Sequence, residues 1–580
     1  MLLSSLRLII ARQRRWFRSS EAALILLSIG VGICAGLATN VQSAFAHALQ
    51  SLFYGLGINR LSALGSIHHP IRLLALPIGG LILGLMTHIV PRQSHAPIDV
   101  VEANALHGGR IPVADSLWVS AQTLLSNGCG ASVGLEAAYA QMGGGMASLV
   151  GQWLKLRRNE MRTLVGAGAG AAVGAAFSAP LTGAFYAFEI VIGAYTPATI
   201  APVAAAALAA AVVTRSLGVA PYLITASSTH PVTTLDYLLF AGLGIACAVL
   251  GILIMRAQTW TERHVNRTPL PPFLRPMIGG LLLVPIVWTS PQALSAGHGA
   301  LRLDLVLHLS LGFLALTFAL KALASILSLS FGFRGGLFFA SLFLGSLAGQ
   351  FYAEVINLAA GAPVIDSNNA ALVGMAALSV AIIGGPMTLS LLVLEATHDF
   401  ALTGAVLTAT LCASALTREQ FGYSFSTWRM HVRGTNIRSG RDIGWIGLLT
   451  ASRMMRRDPT TVDSTISIGD FRQAVPLGST SRVILADPDR TYRGIVTTAA
   501  AYESGLDPYS PIATLATLAD VSLDLEMNAA QILQAFEEAQ ADDLAVVDGE
   551  GYVLGVLTEK YVHRRYLEES GKAQRDLFGE

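Results

Sequence analysis

Glu136, Glu189 and Glu395 are the first candidates for functional ionisable side chains in the apolar part of this 580-residue sequence. An ionisable side chain is costly to bury in apolar surroundings, so it marks an ion pathway, a proton relay or a buried ion pair more often than a packing position. The contexts of the three differ, because only Glu136 follows a glycine-rich break. We interpret Glu189 and Glu395 as structural carboxylates that pair with backbone or arginine groups.

Glu136 lies in SNGCGASVGLEAAYAQMGGGMAS, residues 126–148, and a helix-compatible run begins at about Ala137. The sequence therefore predicts Glu136 at a helix N-terminus. Free backbone N–H groups and the helix dipole make such a terminus an anion site, which a carboxylate can occupy when no diffusible anion does. Glu136 is thus a candidate for a displaceable plug. The alternative is an ordinary acidic residue in a first helical turn.

The elements that must position these residues are apolar segments close to the length of a membrane-spanning helix. Of all residues 53% are hydrophobic and 13% charged, and the mean hydropathy is +0.56, which excludes a single soluble globular protein. The uncharged stretches are 22–59, 73–91, 163–188, 190–214, 237–255, 335–353, 367–394 and 401–417. Spanning helices need about 20 such residues, so the pattern predicts a polytopic helical membrane protein.

Charge divides the chain into two parts. Of the 38 basic and 37 acidic residues, positions 446–580 hold 12 and 21, which leaves 26 and 16 for positions 1–445. Arginines flank the first and the last apolar stretch, which predicts that both termini are cytoplasmic and that the number of crossings is even. No basic patch with interleaved aromatic residues is present in the sequence, so nucleic acid is not expected as a partner.

Small residues give two further expectations. Gly166, Gly170 and Gly174 fall on one face of a predicted helix, which lets another helix approach closely. The four cysteines lie in apolar stretches without metal-binding spacing, so we interpret them as packing residues and expect no metal site. They are Cys34, Cys129, Cys247 and Cys412.

The C-terminal part contains an internal repeat of a helix followed by two strands. The first copy comprises residues 465–475, 481–487 and 492–497, and the second comprises residues 528–540, 543–548 and 552–558. This arrangement resembles a tandem pair of CBS modules. In nucleotide-binding modules an Asp commonly follows the G-x-x-T strand end, and Ala500 and Tyr561 occupy those positions here. A nucleotide at the pair and a purely structural or dimer-stabilising role both stay open.

The membrane part resembles the CLC family of chloride channels and transporters, as a prokaryotic member with a C-terminal CBS pair. The G-R-E-G-P loop of the family is here Gly134, Leu135, Glu136, Ala137 and Ala138, followed by Gln141 and Gly143. The G-x-F-x-P motif is matched by Gly336, Leu337, Phe338, Phe339 and Ala340. The resemblance implies anion binding at Gly134, Leu135, Gly336, Leu337 and Phe338, with Glu136 as the gate.

Two further segments extend the resemblance. In SHAPIDVVEANALHGGRIP, residues 94–112, His95 takes the place of the anion-coordinating Ser or His of the family. In FGYSFSTWRMHVRG, residues 421–434, Tyr423 takes the place of the Tyr whose hydroxyl donates to the central anion. The alternatives are a loop histidine near the membrane interface and an interfacial tyrosine.

Ile190 departs from the pattern of the proton-coupled exchangers, which carry a second Glu directly after the position matched by Glu189. Isoleucine cannot carry a proton, so channel-like flux is favoured over chloride/H⁺ antiport. A nonconducting membrane sensor that signals through the CBS pair is an alternative of another class. A fluoride exporter is less favoured. A membrane hydrolase is not supported, because the sequence offers serines but no hydrolase context of the GxSxG or HExxH kind.

The resulting expectation is an all-α membrane domain of two inverted halves with broken helices, followed by an α/β CBS-pair domain. The domain bounds are 1–20 for a basic cytoplasmic segment, 21–432 for the membrane domain, 433–450 for a linker and 451–580 for the CBS pair. The protein is expected to be no enzyme, to need no cofactor, and to carry chloride or a similar small anion. We place it as a homodimer in the cell (inner) membrane, in contact with the lipid bilayer.

Overall fold

The computed structural model describes residues 20–55, 61–64, 67, 69–89, 97–218, 232–305, 307, 309–432 and 449–578. The chain divides into two compact units, Met1–Asp442 and Ile443–Glu580. His95 lies outside the described residues, so its predicted role stays a prediction.

The first unit is built of α-helices. The first half contains α1 (Glu21–Tyr54), α2 (Ala75–Ile89), α3 (Val100–Leu106), α4 (Val113–Gly128), α5 (Glu136–Leu154), α6 (Arg158–Phe177), α7 (Pro180–Tyr186) and α8 (Pro197–Ser216). A wider π-helical turn, Ala187–Ile192, continues α7. The second half contains α9 (Thr234–Arg267), α10 (Arg275–Thr289), α11 (His298–Asp304), α12 (Leu311–Ser330), α13 (Phe338–Ala360), α14 (Ser367–Ile383), α15 (Pro386–Thr397), α16 (Phe400–Gln420) and α17 (Phe425–Val432).

Seven helices of the described residues are long and apolar enough to cross a membrane, and several shorter apolar helices accompany them. Prolines start two of the short ones: Pro180 begins α7 and Pro386 begins α15. Proline at the first helical position loses no hydrogen bond, because that N–H has no partner within a helix. Helices that begin inside the apolar unit are tolerated where protein surrounds their ends.

The glycine face predicted on α6 is a helix-packing face. A Cβ on Gly170 would come within 2.3 Å of the Gly183 carbonyl oxygen on α7, and one on Gly166 within 2.5 Å of the Ile192 side chain. Close approach of α6 to α7 therefore requires small residues at these positions. Among the cysteines, Cys129 and Cys247 are buried as expected, whereas Cys34 lies on an exposed face of α1.

The second unit has the α/β fold that the repeat predicted. It contains α18 (Ala451–Met454), β1 (Thr461–Asp463), α19 (Ile468–Ala474), β2 (Arg482–Ala486), β3 (Tyr492–Thr497), α20 (Thr498–Ala501), β4 (Leu523–Asp524), α21 (Ala529–Ala539), β5 (Asp543–Val547), β6 (Val553–Thr558) and α22 (Glu559–Phe578). Each copy forms a three-stranded sheet in which the first strand is parallel and the third antiparallel to the central one.

The two copies match in detail. The β2–β3 register shifts between Leu485 and Ala486, and the β5–β6 register shifts at the corresponding step between Val546 and Val547. Apolar residues of both sheets also share one buried cluster, which joins the copies into one body. Its buried members are Ile484, Ala486, Ile495, Ala545 and Val553.

Candidate functional site

Two helix N-termini from opposite halves of the first unit meet at a short backbone bridge. The Gly134 N–H donates to the Gly336 carbonyl oxygen at 2.8 Å, and the Gly336 N–H donates back to Gly134 at 3.3 Å. Gly134 lies two residues before α5, and Gly336 lies two residues before α13. The bridge therefore brings together the starts of both helices, and with them most of the residues that the sequence singled out.

The N–H groups at these two starts are not used in hydrogen bonds within their own helices. The first backbone hydrogen bonds of the two helices run from Tyr139 to Leu135 and from Ser341 to Leu337, so the preceding N–H groups have no partner within their own helix. Leu135, Leu337 and Phe338 are buried. Both positive dipole ends therefore point into one water-poor site, where they favour negative charge.

Polar side chains of neighbouring helices hold the two loops in place. Asn127 donates to the Val133 carbonyl at 2.7 Å, and the Ser132 N–H donates to the Ser328 hydroxyl at 3.0 Å. In the other loop, the Arg334 N–H donates to the Ser126 hydroxyl at 3.0 Å. Both loops are thus anchored to α4 and α12, which fixes the separation of the two helix starts.

Glu136 is the first residue of α5, as predicted, and its side chain is 4% exposed. The backbone N–H of Phe339, in the first turn of α13, hydrogen bonds to its carboxylate. Oε1 also lies 3.9 Å from Nε2 of His298, the first residue of α11. The carboxylate of one broken helix thus occupies the N-terminus of the other.

Phe339 and His298 are functional candidates that sequence reasoning did not single out as ligands. Phe339 stands inside the matched G-x-F-x-P motif, so its place next to the proposed ligands was a usable signal. His298 offered none, because nothing in the sequence links it to Glu136. Its ring stacks on Phe339 with centroids 3.6 Å apart.

Tyr423 lines a cavity whose lining does not include Glu136. This cavity of about 350 Å³ is lined by Glu189, Ile190, Gly384, Gly385 and Tyr423 among others. The Tyr423 hydroxyl is 3.3 Å from Nδ1 of His431, whose ring stacks on the phenol. Tyr423 and Ile190 are therefore brought together, and both lie beside a carboxylate.

Glu189 and Glu395 pair with backbone groups, which confirms their structural interpretation. Glu189 accepts hydrogen bonds from the N–H groups of Met387 and Thr388, and Glu395 accepts them from Leu181 and Thr182. Each carboxylate thereby satisfies free donors at a helix start.

The second unit has a cavity of about 560 Å³ whose lining includes Arg456, Thr480, Arg482 and Tyr561. Tyr561, one of the two positions compared with the nucleotide-binding Asp, thus lines this cavity. Arg482 pairs with Asp542 at 2.6 Å and Asp543 at 3.6 Å. Within the described parts of the chain, no group of three or more His, Cys, Asp or Glu side chains could hold a metal ion.

Comparison with known proteins agrees with this architecture. Residues 79–418 match the family model described as voltage gated chloride channel. A putative chloride channel protein ClcB-like of Ralstonia nicotianae is 30% identical over 44% of this chain and 63% of the relative. A chloride/fluoride channel protein of Pseudomonas syringae pv. tomato is 29% identical over 40% of this chain and 50% of the relative. The matched region thus spans about half to two thirds of these relatives.

Solved structures share the fold. A slow cyanobacterial Cl⁻/H⁺ antiporter superposes with a TM-score of 0.62 at 21% identity, over 71% of this chain and 97% of that one. A eukaryotic CLC transporter gives 0.60 at 16% identity, over 93% of this chain and 97% of that one. Because the family model matches more than half of its length, the chain belongs to the voltage-gated chloride channel (CLC) family and is a multi-pass membrane protein.

Proposed function

We propose that this protein carries chloride or a similar small anion across a membrane, with Glu136 as the gate. The observation that supports this most is the Gly134–Gly336 bridge, which places two helix N-termini around one buried carboxylate. In this position the carboxylate occupies the anion site itself, so conduction requires it to move aside. The backbone N–H groups of Leu337, Phe338 and Phe339 then face the anion.

The same proposal includes the remaining predicted parts. His95 and Tyr423 complete the anion pathway, Gly134 and Leu135 contribute backbone at the gate, and the protein acts as a homodimer in the cell membrane with cytoplasmic termini. The second unit acts as a CBS pair. A phenol suits an anion pathway, because it donates one hydrogen bond without a charge that would trap the ion.

Channel-like flux is the first form of the proposal, and coupled chloride/H⁺ antiport is the second. Ile190 supports the first, since an alkyl side chain cannot relay a proton from the cavity that it shares with Tyr423. The structural neighbours support the second, since one is a slow Cl⁻/H⁺ antiporter and another a fluoride/proton antiporter. The two forms differ in whether protons move with chloride.

Chloride efflux from proteoliposomes, with external pH recorded, tests both forms for the native protein, Glu136→Gln and Glu136→Ala. Channel-like flux predicts fast chloride loss without proton movement, altered by both substitutions. Proton uptake in a fixed ratio to chloride loss would establish antiport. If the native protein and both variants are folded but none of them passes an anion, transport is refuted and the membrane sensor is favoured.

A further inference from the structure

His298 is the side chain that approaches the Glu136 carboxylate from a third helix. It begins α11 directly after Gly297, which adopts a left-handed conformation with φ 100°. The imidazole is 15% exposed and lies between the carboxylate, 3.9 Å from Nε2, and the ring of Phe339. A histidine nitrogen is therefore directed at the atom that fills the anion site.

The second oxygen of the Glu136 carboxylate receives no hydrogen bond from the described part of the protein. Oε2 of Glu136 is buried, and among the described residues it has no hydrogen-bond partner. Buried carboxylate oxygens are normally satisfied, because an unpaired one loses the hydration that it had in water. A carboxylate held at one oxygen only can leave, and a diffusible anion can then use the donors that it releases.

A cavity of about 220 Å³ lies against the same histidine. Its lining combines Leu135 and His298 with polar side chains of α1 and α4, among them His47, Gln50 and Asn127. A water molecule takes about 30 Å³ in the liquid, so this space has room for a small anion with several water molecules. The cavity thus adjoins Leu135 and His298, the immediate neighbours of the gate.

The imidazole is held in place by its surroundings. The segment before α11 is anchored by the buried Lys321, whose Nζ donates to the Ser295 carbonyl at 2.6 Å and the Ala293 carbonyl at 3.3 Å. The segment after His298 is anchored by the Ser62 hydroxyl, which accepts from the Gly299 N–H at 2.8 Å. Such fixed placement is what an ion-binding side chain requires, since little ordering remains to be done on binding.

We propose that His298 is an anion ligand of the transport pathway. With the gate closed, its Nε2–H faces the Glu136 carboxylate; with the carboxylate displaced, the same N–H donates to the transported anion. The Phe339 N–H serves both in the same way, so His298 and Phe339 form two sides of one site. This inference rests on the proposed function and adds to it a side-chain ligand that is separate from Tyr423 and His95.

Chloride binding to the purified full-length protein in detergent, measured by isothermal titration calorimetry, tests the proposal. The measurement uses the Glu136→Ala background, in which no carboxylate competes for the site. His298→Phe retains a ring to stack on Phe339 but has no donor, whereas His298→Gln retains a donor but loses the ring. His264→Leu, at an exposed position of α9 outside this cavity, is the matched control.

A ligand role predicts that His298→Phe raises the dissociation constant for chloride about tenfold, the effect of losing one hydrogen bond to an ion. His298→Gln and His264→Leu should stay within about threefold of the background protein, since donors to the ion persist. A packing role predicts the reverse order, in which His298→Gln is the damaged variant. Equal binding in His298→Phe and the background protein would overturn the inference.

If the proposed transport function is wrong, the experiment gives a different result. In that case the Glu136→Ala protein with native His298 neither binds chloride nor passes it in proteoliposomes, although thermal unfolding and gel filtration show a folded protein. Binding in that protein, with no change on His298→Phe, refutes only the role of His298. If His298→Phe does not fold, the comparison of His298→Gln with the background protein still decides, because a packing role requires weaker binding there.

Discussion

Glu189 and Thr388 are joined by two hydrogen bonds to one carboxylate oxygen, from the Thr388 N–H at 2.8 Å and from its hydroxyl at 2.6 Å. Glu395 and Thr182 repeat this pairing in reverse, with distances of 2.9 and 2.7 Å. A glutamate after α7 thus caps α15, and a glutamate near the end of α15 caps α7. The two helices run antiparallel, as the inverted halves of the fold require.

Removing one hydroxyl from these reciprocal caps should lower stability without a change of fold. A hydrogen bond to a charged group is worth about 1.5–3 kcal/mol, so we expect Thr182→Val to destabilise the protein by about 2 kcal/mol. Thr182→Ser keeps the hydroxyl and should lose less than half as much. Thermal unfolding of the detergent-solubilised protein measures both. Equal unfolding temperatures for Thr182→Val and Thr182→Ser would contradict the capping role.

Gly134→Ala should move the gate, whereas Gly336→Ala should not. A Cβ at Gly134 would lie 2.1 Å from Glu136 Oε2, so the carboxylate must leave its position. A Cβ at Gly336 would meet the Ala137 Cβ at 3.6 Å and the Phe338 backbone nitrogen at 3.8 Å, both ordinary contacts. We expect chloride efflux from Gly134→Ala to shift in the same direction as from Glu136→Ala, with Gly336→Ala close to native. Native efflux from Gly134→Ala would show that the gate does not use this space.

Ile190→Glu should add proton movement to the anion flux. The new carboxylate would line the cavity that already contains Glu189 and Tyr423, and a carboxyl group can take up and release a proton where isoleucine cannot. Chloride efflux with external pH recorded measures the effect. The control is Ile190→Gln, which has nearly the same shape and does not titrate at these pH values. Proton movement in both variants, or in neither, contradicts a relay at this position.

Gly170→Ala should destabilise the packing of α6 on α7. Its Cβ would come 2.3 Å from the Gly183 carbonyl oxygen, so the helices must separate, which costs about 1–3 kcal/mol in typical overpacked cores. Gly30→Ala in α1 is the matched control, because a Cβ there meets nothing within 4 Å. Comparing the unfolding temperatures of the two variants separates the cost of forcing α6 away from α7 from the general effect of replacing a helical glycine by alanine.

Acid should weaken the second unit through Asp487. Hydrogen bonds from Ser464 and Arg493 hold the pKa of this carboxyl below its ordinary value of 3.8. A lowered pKa means that the stabilisation is present above that ordinary value and is lost as the pH falls through the folded-state pKa. We expect Asp487→Asn to flatten the loss of thermal stability below about pH 4. An unchanged pH profile would show that other carboxyl groups dominate.

Local sequence patterns predicted much of the fold and part of the site. The apolar stretches indicated membrane helices, the glycine-rich break placed Glu136 at the start of α5, and the repeat predicted helix–strand–strand units whose bounds agree within a few residues. These features depend on residues that are near one another in the chain, because periodicity, capping and turns act over a few positions.

Only the tertiary structure decided which of these elements meet. The Gly134–Gly336 bridge, the Phe339 N–H at the Glu136 carboxylate and the pairing of Glu189 with Thr388 all join residues far apart in sequence. The place of His298 depends on how α11 packs against the Leu61–Ala63 turn and the start of α13, which no local pattern of its segment contains. The sequence by itself determined the donors and charges, and packing of distant helices determined which of them face one anion.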